Sequence, residues 1–524
     1  MKNNDYWERR QVQDAFNVFE KAENVSDQIS NIYLKSSRHL SLQADEIFER
    51  YKTKHGLSES EARRLINTLQ DKTSIDELLQ KLRNGDKDQQ EKDLLSQLEA
   101  PAYQARIERL RHIQEQLDLI MQNIYRQEKA VSTDFYTDLA KESYYRGIYN
   151  THQRTDAAFS FSYVSAKTID KVINSRWSGE NYSERIWGNT HDLAQSLKEE
   201  LLINLVTGRT NREASIIISE KFGQGANKAR RIVRTESNYV STELNFKAYE
   251  ECGIKEYQYL ATLDLKTSIV CRDLDGKIFL VSERKIGKNC PPMHPWCRST
   301  TISVVDRDLI DQMQRSAIDP ATGKRTKVPR SMTYWEWYDK YVKGKPEVEM
   351  EEKKLKNRSS DRRQHNKYRK IIGDEIPESL DDFQNMKYNE VERWKYTKLD
   401  FKRQSELLEY PERKLPNAEK AEVPEKKMTH YLFGGEHPEG IAKGKAFTSR
   451  LGYGPSNWQE LQESIVESAA KYPALFKRNN GFMDMYEQKI ILHGLNGTPA
   501  NVVVGWSVGE GKAVMASAYI KEVK

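Results

Sequence analysis

Apolar residues recur at helical spacing through most of the first 150 residues, where Gly and Pro are scarce. A spacing of three and four residues places apolar side chains on one face of a helix. The recurring positions are Leu65, Leu69, Ile75, Leu78, Leu79 and Leu82, followed by Ile107, Leu110, Ile113, Leu117 and Ile120. We therefore expect residues 1–150 to form long helices in bundle or coiled-coil packing.

A second helical group follows, with clear start and stop signals. Its first helix carries a stripe of leucines and ends at Gly208, and Thr210 with Glu213 forms a capping box for the next helix. That helix is predicted to stop at Gly223, and a third one runs from about Ala229 to Gly253. The leucine stripe consists of Leu193, Leu197, Leu201 and Leu205.

From residue 257 the apolar period changes to that of strands. Residues 257–263, 278–281 and 300–305 are predicted strands, and Asp275-Gly276 supplies a turn between the first two. Residues 332–338 form a short aromatic helix in this interpretation. Residues 343–363 are mostly charged, so we expect them to be flexible, and residues 410–427 have the composition of a linker.

The last hundred residues show a separate pattern of two helices and a β-meander. Helices are predicted at 443–452 and 456–472, the second with a Ser456/Gln459 capping box. Strands are predicted at 486–495, 501–508 and 512–520, with glycine-containing turns between them. The fold class is therefore α+β: a long helical N-terminal region, a central module of helices and a small sheet, and a separate small α+β domain.

The composition argues against several classes of protein, among them strongly basic nucleic-acid binders, membrane proteins and disulfide-rich secreted proteins. The 84 basic and 78 acidic residues leave a formal charge of only +6, which does not demand a nucleic-acid partner. No apolar run approaches the ~20 residues of a membrane helix, and the charged first ten residues predict no secretory signal. Four cysteines in 524 residues do not make a disulfide framework, so we expect a reducing cytoplasm during synthesis.

The central module holds the residues that suggest a metal site. Cys290, His294 and Cys297 fall in one proline-rich loop, and a turn can bring Cys271 close to them. Two or three thiolates and an imidazole suit a tetrahedral zinc ion. Alternatively, the thiols pack as small apolar groups in a loop stiffened by prolines and Trp296, or one cysteine acts as a nucleophile.

A basic helix precedes this loop. Arg230, Arg231 and Arg234 lie on it together with Glu236, at spacings that suit salt bridges on a helix surface. The same residues also suit a structural Arg–Glu network that anchors the helix to the following sheet, or a docking patch for a partner.

In the last domain, His437, Lys443 and His493 are candidates for general acid–base catalysis and phosphate stabilisation in a metal-independent ribonuclease.

The central stretch resembles the phage head morphogenesis family, the minor capsid proteins related to the F protein of phage Mu. The similarity is carried by Gly208-Arg-Thr210, Arg230-Arg-Ile-Val-Arg-Thr-Glu236, Leu274-Asp-Gly-Lys277 and Pro291-Pro-Met-His-Pro-Trp-Cys-Arg-Ser-Thr-Thr301. The motif residues singled out are Arg230, Arg234, Glu236, Asp264, Asp275, Gly276, Pro292, His294, Pro295, Cys297 and Arg298. The family pattern holds Cys271, His294 and Cys297 more consistently than Cys290.

The resemblance implies a structural role in the virion and in the host cytoplasm during assembly. Portal, major capsid and scaffold proteins are the partners it implies, with contact to phage DNA as a further expectation and no membrane. The expected domains are a helical region at 1–150, the Mu F-like domain at 151–306, a charged helical linker region at 307–427 and the C-terminal domain at 428–524.

The C-terminal domain resembles a domain of unknown function found at the ends of phage and toxin-like proteins. The similarity rests on Tyr431-Leu-Phe, Glu436-His-Pro-Glu-Gly440, Lys443-Gly-Lys-Ala446 and Leu451-Gly-Tyr453. Extended head proteins of the family sometimes carry C-terminal toxin domains. The alternative function is therefore a phage-borne polymorphic toxin with a nuclease-type effector at its C terminus.

Overall fold

The computed structural model describes residues 4–48, 57–85, 89–155, 161–207, 211–304, 314–435, 437–509 and 511–522. The chain divides into two compact units, Met1–Lys345 and Pro346–Lys524. The finer division into four segments stays a prediction. Gly208, Thr210 and the end of the third predicted strand lie outside the described residues, as does Glu436. No described helix is both long and apolar enough to cross a membrane.

The first unit consists of long helices followed by two small sheets. Its helices are Asn4–Phe48 (α1), Glu59–Ile66 (α2), Ile75–Asn84 (α3), Gln89–Glu99 (α4), Pro101–Thr155 (α5), Ala166–Ile173 (α6), Tyr182–Thr207 (α7), Asn211–Glu251 (α8), Ile269–Leu274 (α9) and Tyr334–Tyr341 (α10). Its strands are Glu256–Leu260 (β1), Ile278–Leu280 (β2), Thr300–Val304 (β3), Gln314–Ile318 (β4) and Arg325–Pro329 (β5).

The predicted helical N-terminal region is confirmed. The apolar positions of the early repeats are buried in one core that α1, α5, α7 and α8 share, and the leucine stripe of α7 lies in the same core. This packing, more than intrinsic propensity, stabilises such long helices. A polar contact crosses the core, where the Tyr33 hydroxyl donates to Glu128 at 2.8 Å and accepts from Asn189 at 2.9 Å.

The predicted helix end at Gly223 is wrong, because α8 continues without a break from Asn211 to Glu251. Of the two glycines in this part of the helix, Gly225 serves helix packing. A Cβ on Gly225 would lie 2.8 Å from Leu193 Cδ2 and 2.9 Å from Tyr33 Cε1, so a hydrogen at this position lets α7 and α1 approach α8 closely. Gly223 is exposed and meets no neighbouring atom.

The predicted strands of the central module are confirmed and form an antiparallel sheet in the order β2-β1-β3. Two elements escaped the sequence pattern. The six-residue helix α9 lies between β1 and β2, and the hairpin β4–β5 follows the sheet. The predicted aromatic helix is α10, which begins with a Thr333/Glu336 capping box.

The second unit contains three helices followed by a small sheet packed with two more helices. Its helices are Pro346–Ile372 (α11), Leu380–Asn389 (α12), Val391–Glu409 (α13), Pro438–Leu451 (α14) and Trp458–Ser468 (α15). Its strands are Ala421–Glu422 (β6), Ala474–Asn479 (β7), Asp484–His493 (β8), Pro499–Gly509 (β9) and Lys512–Ile520 (β10). The predicted meander is confirmed by the antiparallel order β10-β9-β8-β7, with β6 parallel to β10 at one edge.

Three details of the second unit correct the sequence interpretation. The charged stretch 343–363 was expected to be flexible but is largely helical. Its helix α11 packs against the rest of the unit through Asp361, which is fully buried and accepts hydrogen bonds from Gln384, Lys387 and Tyr388. The expected linker at 410–427 contributes Leu415, Ala418 and Val423 to the core of the sheet. Finally, α15 begins after Asn457, and no side chain caps it as the Ser456/Gln459 pair predicted.

Candidate functional site

Three of the four predicted metal ligands come together beside the central sheet. Cys271 lies on α9, and His294 and Cys297 lie on the loop before β3. Cys271 Sγ is 3.4 Å from His294 Nε2 and 3.9 Å from Cys297 Sγ, and all three ligand atoms lie within 4.8 Å of one another. Ser268 caps the N terminus of α9 and so fixes the position of Cys271.

The structure places Cys290 elsewhere. Its buried thiol packs with Phe246, Tyr249 and Tyr257, and Sγ donates to the Pro291 carbonyl at 3.7 Å. Burial raises the pKa of the Cys290 thiol well above its usual range. Cys252 packs in the helical core near α5. The cluster around Cys271 is therefore a group of two sulfurs and one imidazole.

The polar environment of this cluster favours one anionic sulfur. The hydrogen bond from the Cys297 thiol lowers the pKa of Cys271 to about 3, and the same bond raises the pKa of Cys297. The pKa of His294 is raised, chiefly by its hydrogen bond to Cys271. The Tyr259 hydroxyl also donates to Cys271 Sγ, at 3.2 Å.

The acidic and basic motif residues around the cluster hold the loop to the sheet. Asp264 Oδ1 accepts from Arg298 Nη2 at 2.8 Å and from the backbone N–H of Lys266 at 2.9 Å. Asp275 accepts from the Ala261 backbone N–H at 2.7 Å. Gly276 follows it with a φ of +80°, a conformation that glycine adopts without strain.

The loop itself is tied down by backbone contacts. The Pro291–Pro292 peptide bond is cis, and the Pro295 carbonyl lies 2.7 Å from His294 Nδ1. Asn238 on α8 donates to the carbonyl of Cys297 at 2.8 Å and to that of Ser299 at 3.2 Å. Helix α8 therefore positions the loop that carries two of the three ligand atoms.

The arginines of the basic helix point in two directions. Arg230 and Arg234 both pair with Glu23 on α1, and Arg234 also lies over the Phe19 ring at 4.9 Å. Arg231 is exposed. The ion pairs therefore join α8 to α1, and Arg234 also lies over the Trp296 ring of the Cys–His loop, at 5.9 Å.

Glu236, at the end of the same motif, is buried. It pairs with Arg185 on α7, and the Trp177 indole donates to it at 3.1 Å. Burial raises the pKa of Glu236 to about 7, while Arg185 and Trp177 act in the opposite direction. These contacts identify Glu236 as an internal connector between helices, a role that its position in the basic helix did not reveal.

In the second unit, the predicted catalytic candidates fall into two places. The His437 ring lies against the Tyr431 ring at a tilt of 41°, with centroids 5.2 Å apart, and Lys443 Nζ donates to the Tyr431 hydroxyl at 3.0 Å. His437 is exposed at the start of α14, and Lys443 lies one and a half turns further along. Tyr431, for which the sequence predicted no catalytic role, is the residue that brings the two together.

His493 lies apart from this group, at the end of β8. Its Nδ1 is 3.4 Å from a Glu375 carboxylate oxygen and its Nε2 is 3.9 Å from Asp400. Asp400 is buried and accepts from the Tyr472 hydroxyl at 2.7 Å. Glu375 lies in the turn after α11, Asp400 on α13 and Tyr472 in the loop before β7, so no local sequence pattern predicts this group.

Comparisons with known proteins find one family match in each of the two units. Residues 195–302 match the family of Phage Mu protein F like proteins, and residues 414–522 match a domain of unknown function, DUF6883. The predicted Mu F-like resemblance is thereby confirmed, and a separate C-terminal domain is present. The first match covers the basic helix, the sheet and the Cys–His loop, and it supports a role in phage head morphogenesis.

One curated relative was found, the NAD(+)–arginine ADP-ribosyltransferase EFV of Enterococcus faecalis (strain ATCC 700802 / V583). It is 28% identical over 217 residues, which cover 38% of this chain and 44% of the relative. The chain therefore spans less than half the length of this relative. No solved structure matches the chain.

Proposed function

We propose that residues 1–345 form a minor head component that acts in procapsid assembly next to the portal. The observation that carries this proposal is the match of residues 195–302 to the Mu F-like family. The fold is consistent with a structural role, since the charged motif residues Asp264, Arg298, Arg230 and Arg234 are engaged in internal ion pairs. An assembly component needs a rigid scaffold, and these pairs supply one.

The partners in this proposal are the portal and the major capsid or scaffold proteins, with phage DNA as a further contact. The protein then resides in the virion head and, during assembly, in the host cytoplasm. Exposed large apolar side chains such as Trp187 and Ile216 lie on α7 and α8, where another protein would cover them. Burial of such residues is how obligate assembly interfaces gain stability.

Co-sedimentation of the tagged protein with procapsids from an induced lysogen tests this function. We expect the protein and the portal in the same gradient fractions, and loss of both from the head fraction when the portal gene is deleted. A Trp187→Ser variant should incorporate less well, whereas Lys343→Ser at an exposed site should incorporate normally. A wild-type protein that stays at the top of the gradient would refute the assembly role.

As a second function, we propose that the C-terminal domain is an effector of the nuclease type. The arrangement that favours it is the group of His437, Tyr431 and Lys443 on the exposed side of α14. An imidazole can remove the proton from a ribose 2′-hydroxyl, and the 2′-oxygen then attacks the neighbouring phosphorus. The 5′-oxygen leaves with the Tyr431 proton, and the Lys443 ammonium stabilises the phosphate charge and the resulting phenolate.

Induced expression of residues 346–524 and of the full chain tests this second function. We expect slowed growth and RNA fragments ending in cyclic phosphate, both lost in His437→Ala and Lys443→Met. His430→Ala, an exposed histidine nearby, is the matched control and should remain toxic. Cellular NAD+ is measured in parallel, because the curated relative is named for ADP-ribosyl transfer. Toxicity with NAD+ consumption and intact RNA would replace the nuclease with a transferase, and normal growth would leave a binding domain.

A further inference from the structure

Two of the three distances in the Cys–His cluster match those between ligands of a tetrahedral metal ion, and all three ligand atoms lie within 4.8 Å of one another. Zinc binds cysteine sulfur at about 2.3 Å and histidine nitrogen at about 2.0–2.1 Å in tetrahedral geometry, which puts neighbouring ligands about 3.8 Å apart for two sulfurs and about 3.6 Å apart for sulfur and nitrogen. The structure has 3.9 Å between the two sulfurs and 3.4 Å between Cys271 Sγ and His294 Nε2. We propose that Cys271, His294 and Cys297 bind one zinc ion.

The histidine is already oriented for this role. Its Nδ1 lies 2.7 Å from the Pro295 carbonyl, an acceptor, so Nδ1 carries the proton. Nε2 lies 3.4 Å from Cys271 Sγ and 2.8 Å from Ser268 Oγ. A metal ion would replace these hydrogen bonds and take the lone pair of Nε2. Metal-binding histidines in proteins are commonly fixed by such a carbonyl.

Hydrogen bonds from neighbouring groups hold the two cysteines in position as well. The Tyr259 hydroxyl donates to Cys271 Sγ at 3.2 Å, which stabilises a thiolate ligand. Asn238 holds the backbone carbonyl of Cys297 at 2.8 Å. Both cysteine side chains are buried and His294 is partly exposed, so the imidazole forms the side of the cluster that solvent reaches.

The fourth position is assigned to a water molecule on the His294 side. Cys290, the fourth ligand that the sequence suggested, packs in a separate apolar cluster. His294 also lines a cavity of about 650 Å³ together with the charged residues Arg185, Lys228 and Arg231. An ion with three protein ligands and an open position is therefore reachable from this cavity.

The ion would join two parts of the chain that are far apart in sequence. Cys271 belongs to α9 and Cys297 to the loop before β3, and that loop is held by α8 through Asn238. Zinc binding would therefore stabilise the sheet against the helix and make unfolding of this region depend on chelators. This consequence does not depend on whether the protein acts in a phage head.

Metal analysis of the full-length protein, purified under reducing conditions with zinc in the growth medium, tests the site. We expect about one zinc per chain, falling below about 0.2 in Cys271→Ser and in Cys297→Ser. Cys252→Ser and Cys290→Ser are the matched controls and should keep their zinc. Less than about half an equivalent in the wild type, or an equal content in all four variants, would overturn the proposal.

A second measurement covers the case in which a variant fails to fold. Cobalt(II) added to the chelator-treated wild-type protein should give the visible bands of a tetrahedral site and a thiolate-to-cobalt charge-transfer band. In Cys297→Ser with native circular dichroism, the charge-transfer band should be no more than about half as strong, because one of the two thiolates is gone and metal binding is weakened. A wild-type protein with only two titratable thiols after purification without reductant, and no cobalt spectrum after reduction, would instead show a redox pair.

Discussion

Arg315 forms a two-pronged ion pair with Asp275, and both side chains are buried. Arg315 Nη1 lies 2.7 Å from Asp275 Oδ2, and Nη2 lies 2.9 Å from Oδ1. Their side chains are 5% and 0% exposed. Asp275 lies within residues 195–302, which match the Mu F-like family, whereas Arg315 lies on the β4–β5 hairpin, outside that range. The pair therefore fixes the hairpin to the central sheet.

Removing one partner of this pair should be costly, because the other charge stays buried without compensation. We expect Arg315→Met to lower the free energy of unfolding of the first unit by about 3–5 kcal/mol, measured by urea denaturation. The double variant Asp275→Asn/Arg315→Met should recover part of that loss. Lys343→Met, in the exposed pair with Asp339, should cost no more than about 0.5 kcal/mol. If Arg315→Met and Lys343→Met lowered the free energy of unfolding equally, burial would not be the cause of the larger expected loss.

The Asp275–Arg315 pair also shows what the sequence could not reveal. Strands β1 and β3 were predictable because apolar or aromatic residues alternate with polar residues in them. The β4–β5 hairpin has the sequences Gln-Arg-Ser-Ala-Ile and Arg-Thr-Lys-Val-Pro, with few apolar positions. Its arginine is buried only because Asp275, forty residues earlier, compensates its charge. A local pattern does not contain that information.

Gly225 packs closely against α7 and α1, which explains why this glycine lies inside α8 and does not end the helix. Gly225→Ala adds a methyl group against Leu193 and the buried Tyr33 ring, at 2.8 and 2.9 Å. We expect this variant to lose about 1–3 kcal/mol of stability, since the core must shift. Gly223→Ala, exposed on the same helix, should gain up to about 1 kcal/mol from helix propensity. Thermal unfolding of both variants measures the difference, and two shifts of the same sign would contradict the packing argument.

Part of the candidate metal site could be predicted from the sequence, and part of it depends on tertiary packing. The short spacing of His294 and Cys297 pointed to a site, and the tight loop places both ligand atoms together. Cys290 shares that loop but turns into the cluster of Phe246 and Tyr257, because apolar burial at that point favours the thiol. Which cysteine faces the histidine depends on α8, through Asn238, and hence on tertiary packing.

In the second unit, Gln488 satisfies three buried groups at once. Its amide nitrogen donates to the carbonyls of Ala469 and Tyr472 at 2.9 and 2.8 Å, and its oxygen accepts from the Trp506 indole at 3.0 Å. Gln488→Leu would leave all three unpaired, at about 1–3 kcal/mol for each buried group. We expect a loss of at least about 3 kcal/mol by urea denaturation. Gln459→Leu, on the exposed side of α15, is the control, and a similar loss there would show that burial is not the cause.

Glu128 should make the first unit less stable as the pH rises. Burial raises its pKa to about 7 from an ordinary value of 4.5, although the hydrogen bond from Tyr33 acts in the opposite direction. Between these two values the folded chain keeps a proton that the unfolded chain has released. The free energy of unfolding therefore falls with increasing pH across this window, by up to about 1.4 kcal/mol per pH unit.

The variant Glu128→Gln isolates this contribution, because its amide is neutral at every pH and still accepts from the Tyr33 hydroxyl. Measured by urea denaturation, the stability of the wild type relative to this variant should fall by up to about 3 kcal/mol between about pH 4.5 and about pH 7. Glu236, whose pKa is also raised to about 7, is present in both proteins, so its contribution cancels in the difference. Glu115→Gln, on the exposed face of the same helix, should follow the wild type throughout. A wild-type-to-Glu128→Gln difference that stayed constant with pH would mean that Glu128 is ionised in the folded chain.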